Sequence, residues 1–119
     1  MVADGVVRNK WPANFVTNAK PEEVQAQLKA NFVDTEIFNN TYTPIVVNTG
    51  KNLVVIDTGF GEGNREQVKG TAGNFLTNLA AAGIDPKLID TVIISHYHGD
   101  HVNGLLRADN SPAFPNAVI

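Results

Sequence analysis

The chain contains no cysteine. That excludes a disulfide framework, a thiolate metal site and a cysteine nucleophile, so any metal ion must be held by nitrogen and oxygen. A basic excess is lacking too: nine Lys and Arg stand against twelve Asp and Glu, for a formal net charge of -3, and the nine are scattered. This is no footprint for a phosphate backbone or an anionic membrane, and neither nucleic acid nor membrane is expected as a partner. No apolar run approaches the roughly 20 residues that span a bilayer. The opening "MVADGVVRNK" lacks the apolar core of a signal peptide. The expected location is cytoplasmic, or exported with the signal absent from this chain. Repeats, low-complexity tracts and linker-like stretches are missing as well, so residues 1–119 read as a single domain or a fragment of one. Histidine is scarce, with three in all.

What is present is a run of short elements with 43% hydrophobic content, which suits a soluble α/β (α+β) domain. In "KPEEVQAQLKANF", Pro21 suits a first helical turn and Glu22 and Glu23 favour the positive end of the dipole. Val24, Leu28 and Phe32 fall on one face. "TPIVVNTGKNLVVIDTG" holds two β-branched runs, Ile45 to Val47 and Leu53 to Ile56, around a turn with Asn48, Gly50 and Asn52, which predicts a hairpin. Gly59, Gly61 and Gly63 mark an irregular loop after it. A helix with Phe75, Leu76 and Leu79 as its stripe is expected next, ending at Gly83 as a left-handed cap. Asp85-Pro86 then opens a further turn. Val92 to Ile94 reads as a strand buried on both faces, "HVNGLL" as one or two helical turns, and "FPNAVI" as the start of another strand.

All three histidines lie in "SHYHGDH", residues 95–101, at the carboxyl end of that apolar strand. A tag would be homopolymeric and terminal, whereas this cluster is internal and mixed with Asp and Gly. The candidate ligands are His96, His98, Asp100 and His101. Alternation along extended backbone puts His96 and His98 on one side with Tyr97 pointing away, and Gly99 lets the chain turn so that Asp100 and His101 reach a second position. Imidazole and carboxylate without sulfur suit a catalytic zinc, or manganese, iron or cobalt, more than a closed structural zinc site.

This cluster, preceded by a strand ending in Asp57-Thr58-Gly59, resembles the metallo-β-lactamase-fold hydrolase superfamily from about Thr41 onward. "NLAAAGIDPKLIDTVIISHYHGDHVNGLL" is similar to its lactonase and methyl parathion hydrolase-like branch. The resemblance implies the N-terminal half of an αββα sandwich with a dinuclear site at the sheet edge. Two divalent ions are implied, zinc foremost, with His96 and His98 on the first and Asp100 and His101 on the second. Asp100 would also be the catalytic residue that orients the nucleophile or carries a proton. Asp57 would stand behind a ligating histidine, its alternative being a turn-forming residue before Thr-Gly.

The family pattern needs three further ligands, two histidines and a bridging aspartate, and no histidine follows His101. Asp109 is too close behind the cluster to be the bridging residue. Half a sandwich would leave an apolar face around Val46, Val54 and Ile93, to be covered by the missing C-terminal half or by a second copy in a homodimer. The implied function is metal-dependent hydrolysis of a small-molecule lactone, carboxylic ester or phosphotriester. The alternative is a truncated, non-catalytic module for metal binding or assembly. Trp11, Phe15, Phe38, Tyr42 and Phe60 are candidates for an apolar pocket wall.

Overall fold

The computed structural model describes residues 1–119, and the chain divides into two compact units, residues 1–6 with 41–119, and residues 7–40. Strands β1 (Gly5–Lys10) and β2 (Ile37–Tyr42) pair in a two-stranded sheet, and both crossings between units fall inside them. Neither strand is announced by a run of alternating apolar residues: in both "GVVRNK" and "IFNNTY" the polar residues come consecutively and make up half of the strand.

In the 7–40 unit, helix α1 (Pro21–Ala30) has proline at its start and Glu22 and Glu23 in its first turn, as the sequence predicts. None of its residues is buried. Its stripe does not extend to Phe32. The helix ends in a Schellman turn, with Val33 N–H donating to the Leu28 carbonyl and Phe32 N–H to that of Lys29. Phe32 sits at the left-handed position of this turn, φ 56°, and its side chain is 99% exposed. Trp11, Phe15 and Phe38 form a ring cluster with centroids 4.7–5.6 Å apart.

The larger unit is built on a three-stranded sheet in the order β3 (Ile45–Asn48), β4 (Leu53–Ile56), β5 (Thr91–Ile93). β3 and β4 form the expected antiparallel hairpin, and β5 joins β4 in parallel, with Val55 beside Val92. A parallel neighbour needs a crossover, and helix α2 (Phe75–Ala81) supplies it. Val46, Val55 and Val92 point to one face, where Phe75, Leu79, Ile89 and Phe114 form the core. Gly83 follows α2 in the left-handed region, and the Asp85 side chain caps the next turn through Lys87 N–H, both as expected.

The opposite face of the sheet stays open. Ile45, Val47 and Ile93 are 39–48% exposed there, so β5 is buried on one face and not on two. Val46, expected on this open face, belongs to the core, because β3 alternates and its partner Val55 faces α2. Beyond α3 (Gly99–Val102) the chain continues in a 3-10 turn, Asn103–Leu105. "FPNAVI" forms no strand: it makes one bridge, Val118 with Thr91, while Phe114 fills the core. No helix is long and apolar enough to cross a membrane.

Candidate metal centre

Two parallel strands end side by side and set the site. β4 stops at Ile56, and Asp57 follows in a left-handed conformation, φ 58°, its N–H donating to the Ile93 carbonyl. That turn aims the Asp57 carboxylate across the end of β5. There it accepts the Ser95 N–H on Oδ1 and the Ser95 hydroxyl on Oδ2, both at 2.8 Å. Thr58, fully buried, donates both its N–H and its hydroxyl to the His101 carbonyl, at 2.9 and 2.7 Å. The loop carrying the histidines is thereby tied to the loop carrying Asp57.

Gly104 explains how closely these loops approach. A Cβ built on it would stand 2.0 Å from the Thr58 carbonyl oxygen, so only glycine admits this contact. On the other side, Asp4 is completely buried and accepts the N–H groups of Phe60, Gly73 and Phe75 at 2.9–3.1 Å. The loop after Asp57 is so fixed to the start of α2.

The three imidazoles are packed together. The His96 ring lies 3.8 Å from that of His101 and 4.7 Å, edge-on, from that of His98. Tyr97 is 91% exposed and takes no part in these ring contacts. Gly99 and Asp100 begin α3, with His98 as its N-cap residue and His101 N–H donating to the His98 carbonyl. His101 Nδ1 lies 2.9 Å from Asp57 Oδ2, and its Nε2 lies 3.3 Å from Asp100 Oδ2. Partial burial raises the pKa of Asp57, but the Ser95 N–H, His101 and the Ser95 hydroxyl together outweigh it. The carboxyl is held below its ordinary value.

The donor types match a divalent ion of the zinc, manganese, iron or cobalt kind. Their arrangement is less complete than the sequence suggests, for no three of these His and Asp side chains converge as an ion's ligand set. His96, His98, Asp100 and His101 are brought together as neighbours, and Asp57 stands behind His101. Asp109 lies apart in a turn, accepting the Ser111 N–H and hydroxyl. A recess of about 90 Å³ adjoins Asp57, Asp100 and His101, walled by Thr41, Tyr42, Thr43 and Pro44. Of the five aromatic candidates, Tyr42 lines it and Phe60 packs on Tyr42 at 5.6 Å, whereas Trp11, Phe15 and Phe38 contact one another. Ser95, Thr58 and Asp4 were not legible as site residues. Ser95 adjoins the first histidine, but adjacency alone does not tell a hydroxyl that serves the site from one that faces solvent.

Residues 41–118 match the metallo-β-lactamase superfamily. Among solved structures, AidC, a dizinc quorum-quenching lactonase in complex with a product, superposes with a TM-score of 0.83 at 28% identity, over 97% of this chain and 38% of that one. The hydrolase AbOPH of the β-lactamase superfamily gives 0.81 at 30% identity, over 98% and 38%. A probable metal-dependent hydrolase from Staphylococcus aureus gives 0.72 at 26%, over 98% and 43%. The chain thus spans well under half the length of these structures. No curated protein sequence matches it significantly.

Proposed function

Because this chain belongs to the metallo-β-lactamase superfamily, we propose that it serves metal-dependent hydrolysis of a lactone, carboxylic ester or phosphotriester, with His96, His98, Asp100 and His101 as ligands to two divalent ions, zinc foremost. One observation carries the reading: three imidazoles and a carboxylate are crowded at the end of a parallel strand, with a second carboxylate, Asp57, bonded to the far nitrogen of one ring. His101 is held at Nδ1 and turns Nε2 toward Asp100, and fixing one ring nitrogen so that the other can ligate is how metal-binding histidines are commonly oriented. The likeness to a dizinc lactonase supports both the ions and the substrate class.

When bound, such ions supply a water acidic enough to attack at neutral pH and polarise the oxygen under attack. The chain's own groups do the rest. Asp57 orients His101 and, as an anion, favours a hydrogen on its Nδ1. Asp100, beside the other nitrogen of the same ring, is placed to accept and return a proton during hydrolysis. Tyr42 and Pro44 form the wall against which a small substrate would rest. The open face of Ile45, Val47 and Ile93 supports a covering layer, either a second copy or further chain of the same fold.

A second reading, a non-catalytic module for metal binding or assembly, is favoured by the failure of three donors to converge. Elemental analysis of the purified chain after chelator-free dialysis, paired with a lactone hydrolysis assay, separates the two. A ratio near two metals per chain, with turnover lost to chelator and to His96→Ala, supports the hydrolase. No turnover at any added zinc or manganese supports the module.

A further inference from the structure

The Ser95 hydroxyl lies within hydrogen-bond distance of both outer histidines. It lies 2.8 Å from Asp57 Oδ2, 3.1 Å from His96 Nδ1 and 3.2 Å from His101 Nδ1. A serine hydroxyl has one hydrogen to donate and two lone pairs that accept, whereas an ionised carboxylate only accepts. The single hydrogen is therefore committed to Asp57, and both contacts to imidazole nitrogens must be made by serine lone pairs. A bare ring nitrogen facing a lone pair is repelled, so a neutral ring that approaches this oxygen through Nδ1 must carry its hydrogen there.

We infer that Ser95 is a positioning residue that fixes His96 as the Nδ1–H tautomer, its hydroxyl relaying the hydrogen-bond demand of Asp57 to a ring that Asp57 does not itself touch. His101 differs, because Asp57 Oδ2 at 2.9 Å already accepts its Nδ1–H directly. Ser95 thus makes one carboxylate serve two rings and leaves Nε2 of His96 unprotonated; on His101 the closer carboxylate, Asp57 at 2.9 Å from Nδ1 against Asp100 at 3.3 Å from Nε2, holds the hydrogen at Nδ1. His98, to which Ser95 makes no hydrogen bond, keeps the Nε2–H form that a neutral histidine side chain prefers by itself. The arrangement explains why the Ser95 backbone is also gripped: its N–H on Asp57 Oδ1 at 2.8 Å holds the hydroxyl in place. It rests on the hydrolase reading only for its consequence, that two rings are ready to ligate through Nε2.

The test is a long-range 1H–15N correlation spectrum of the whole, metal-free chain at a pH where the rings are neutral, which the presence of only three histidines makes assignable. In the wild type His96 and His101 are expected as Nδ1–H and His98 as Nε2–H. Ser95→Ala should move His96 to Nε2–H and leave His101, still held by Asp57, unchanged. Ser95→Thr, which keeps the hydroxyl, should preserve the wild-type pattern. His96 found as Nε2–H in the wild type or in Ser95→Thr overturns the inference, and so does a folded Ser95→Ala chain with an unaltered His96. Should Ser95→Ala not fold, the other two spectra still decide. The spectra contain no metal, so a failure to bind zinc leaves them untouched. Where zinc does bind, Ser95→Ala should weaken it about tenfold by chelator competition.

Discussion

Oδ2 of Asp57 lies 2.9 Å from Nδ1 of His101, joining the end of β4 to the first turn of α3. The bond exists because β4 and β5 run parallel and end together, and because Asp57 turns left-handed as it leaves the sheet. Removing the charge while keeping the shape tests what it does. Asp57→Asn is expected to lower zinc affinity 10- to 100-fold with little change in fold, the range seen when partners behind metal-binding histidines are altered. Competition against a chromophoric chelator measures it, and an unchanged affinity would contradict the role given to Asp57.

The same carboxylate sets a pH dependence. Its folded pKa is depressed, so the unfolded chain binds the proton more readily. The stabilisation is fully present above the unfolded aspartate value of about 3.9 and is lost as pH falls through the lower folded value. Acid denaturation of the wild type should steepen in that interval, and Asp57→Asn should remove this part of the slope. Parallel slopes for the two proteins would count against it.

Asp4 is expected to matter more to stability than any exposed charge. Its truncation to Ala strands three backbone N–H donors, those of Phe60, Gly73 and Phe75, each costing roughly 1–3 kcal/mol when left unpaired in the interior. A loss of at least about 3 kcal/mol in urea unfolding is expected for Asp4→Ala, and a smaller one for Asp4→Asn, which keeps one carbonyl oxygen. A loss under about 1 kcal/mol would show that water replaces the carboxylate.

Gly104→Ala places a methyl group against the Thr58 carbonyl, a backbone atom that cannot swing away. The loop holding His101 must then separate from the loop holding Asp57, at a cost of about 3 kcal/mol or more. Thermal unfolding reads the loss, and the His101 imidazole signals should shift with it.

Phe32→Gly runs the other way. The side chain is 99% exposed and the backbone is left-handed, so glycine gives up no packing and relieves the strain. A gain of about 1 kcal/mol is expected in urea unfolding. Destabilisation instead would mean that the greater unfolded-state entropy of glycine outweighs the relieved strain.

Much of this protein was legible in its sequence, and for physical reasons. The hairpin of β3 and β4 follows from two β-branched runs and a turn, and α1 and α2 from local signals of start, stripe and stop, all short-range effects. That His96, His98, Asp100 and His101 come together as neighbours follows from their closeness in the chain at the end of a strand. What the tertiary structure decided depends on residues distant in the chain. Alternation sets Val92 and Ile93 on opposite faces of β5, but only the packing of α2 on one of those faces buries the first and leaves the second exposed. Packing against α2 draws Val46 into the core, and the Phe114 side chain fills that core where another strand was expected. Ser95 shares Asp57 with His101, and Asp4 reaches three amides far along the chain, because separate loops close on one another. A sequence announces periodicity and chemical type through neighbours a few residues apart. Which hydroxyl meets which ring is set only when the sheet brings the ends of its strands together.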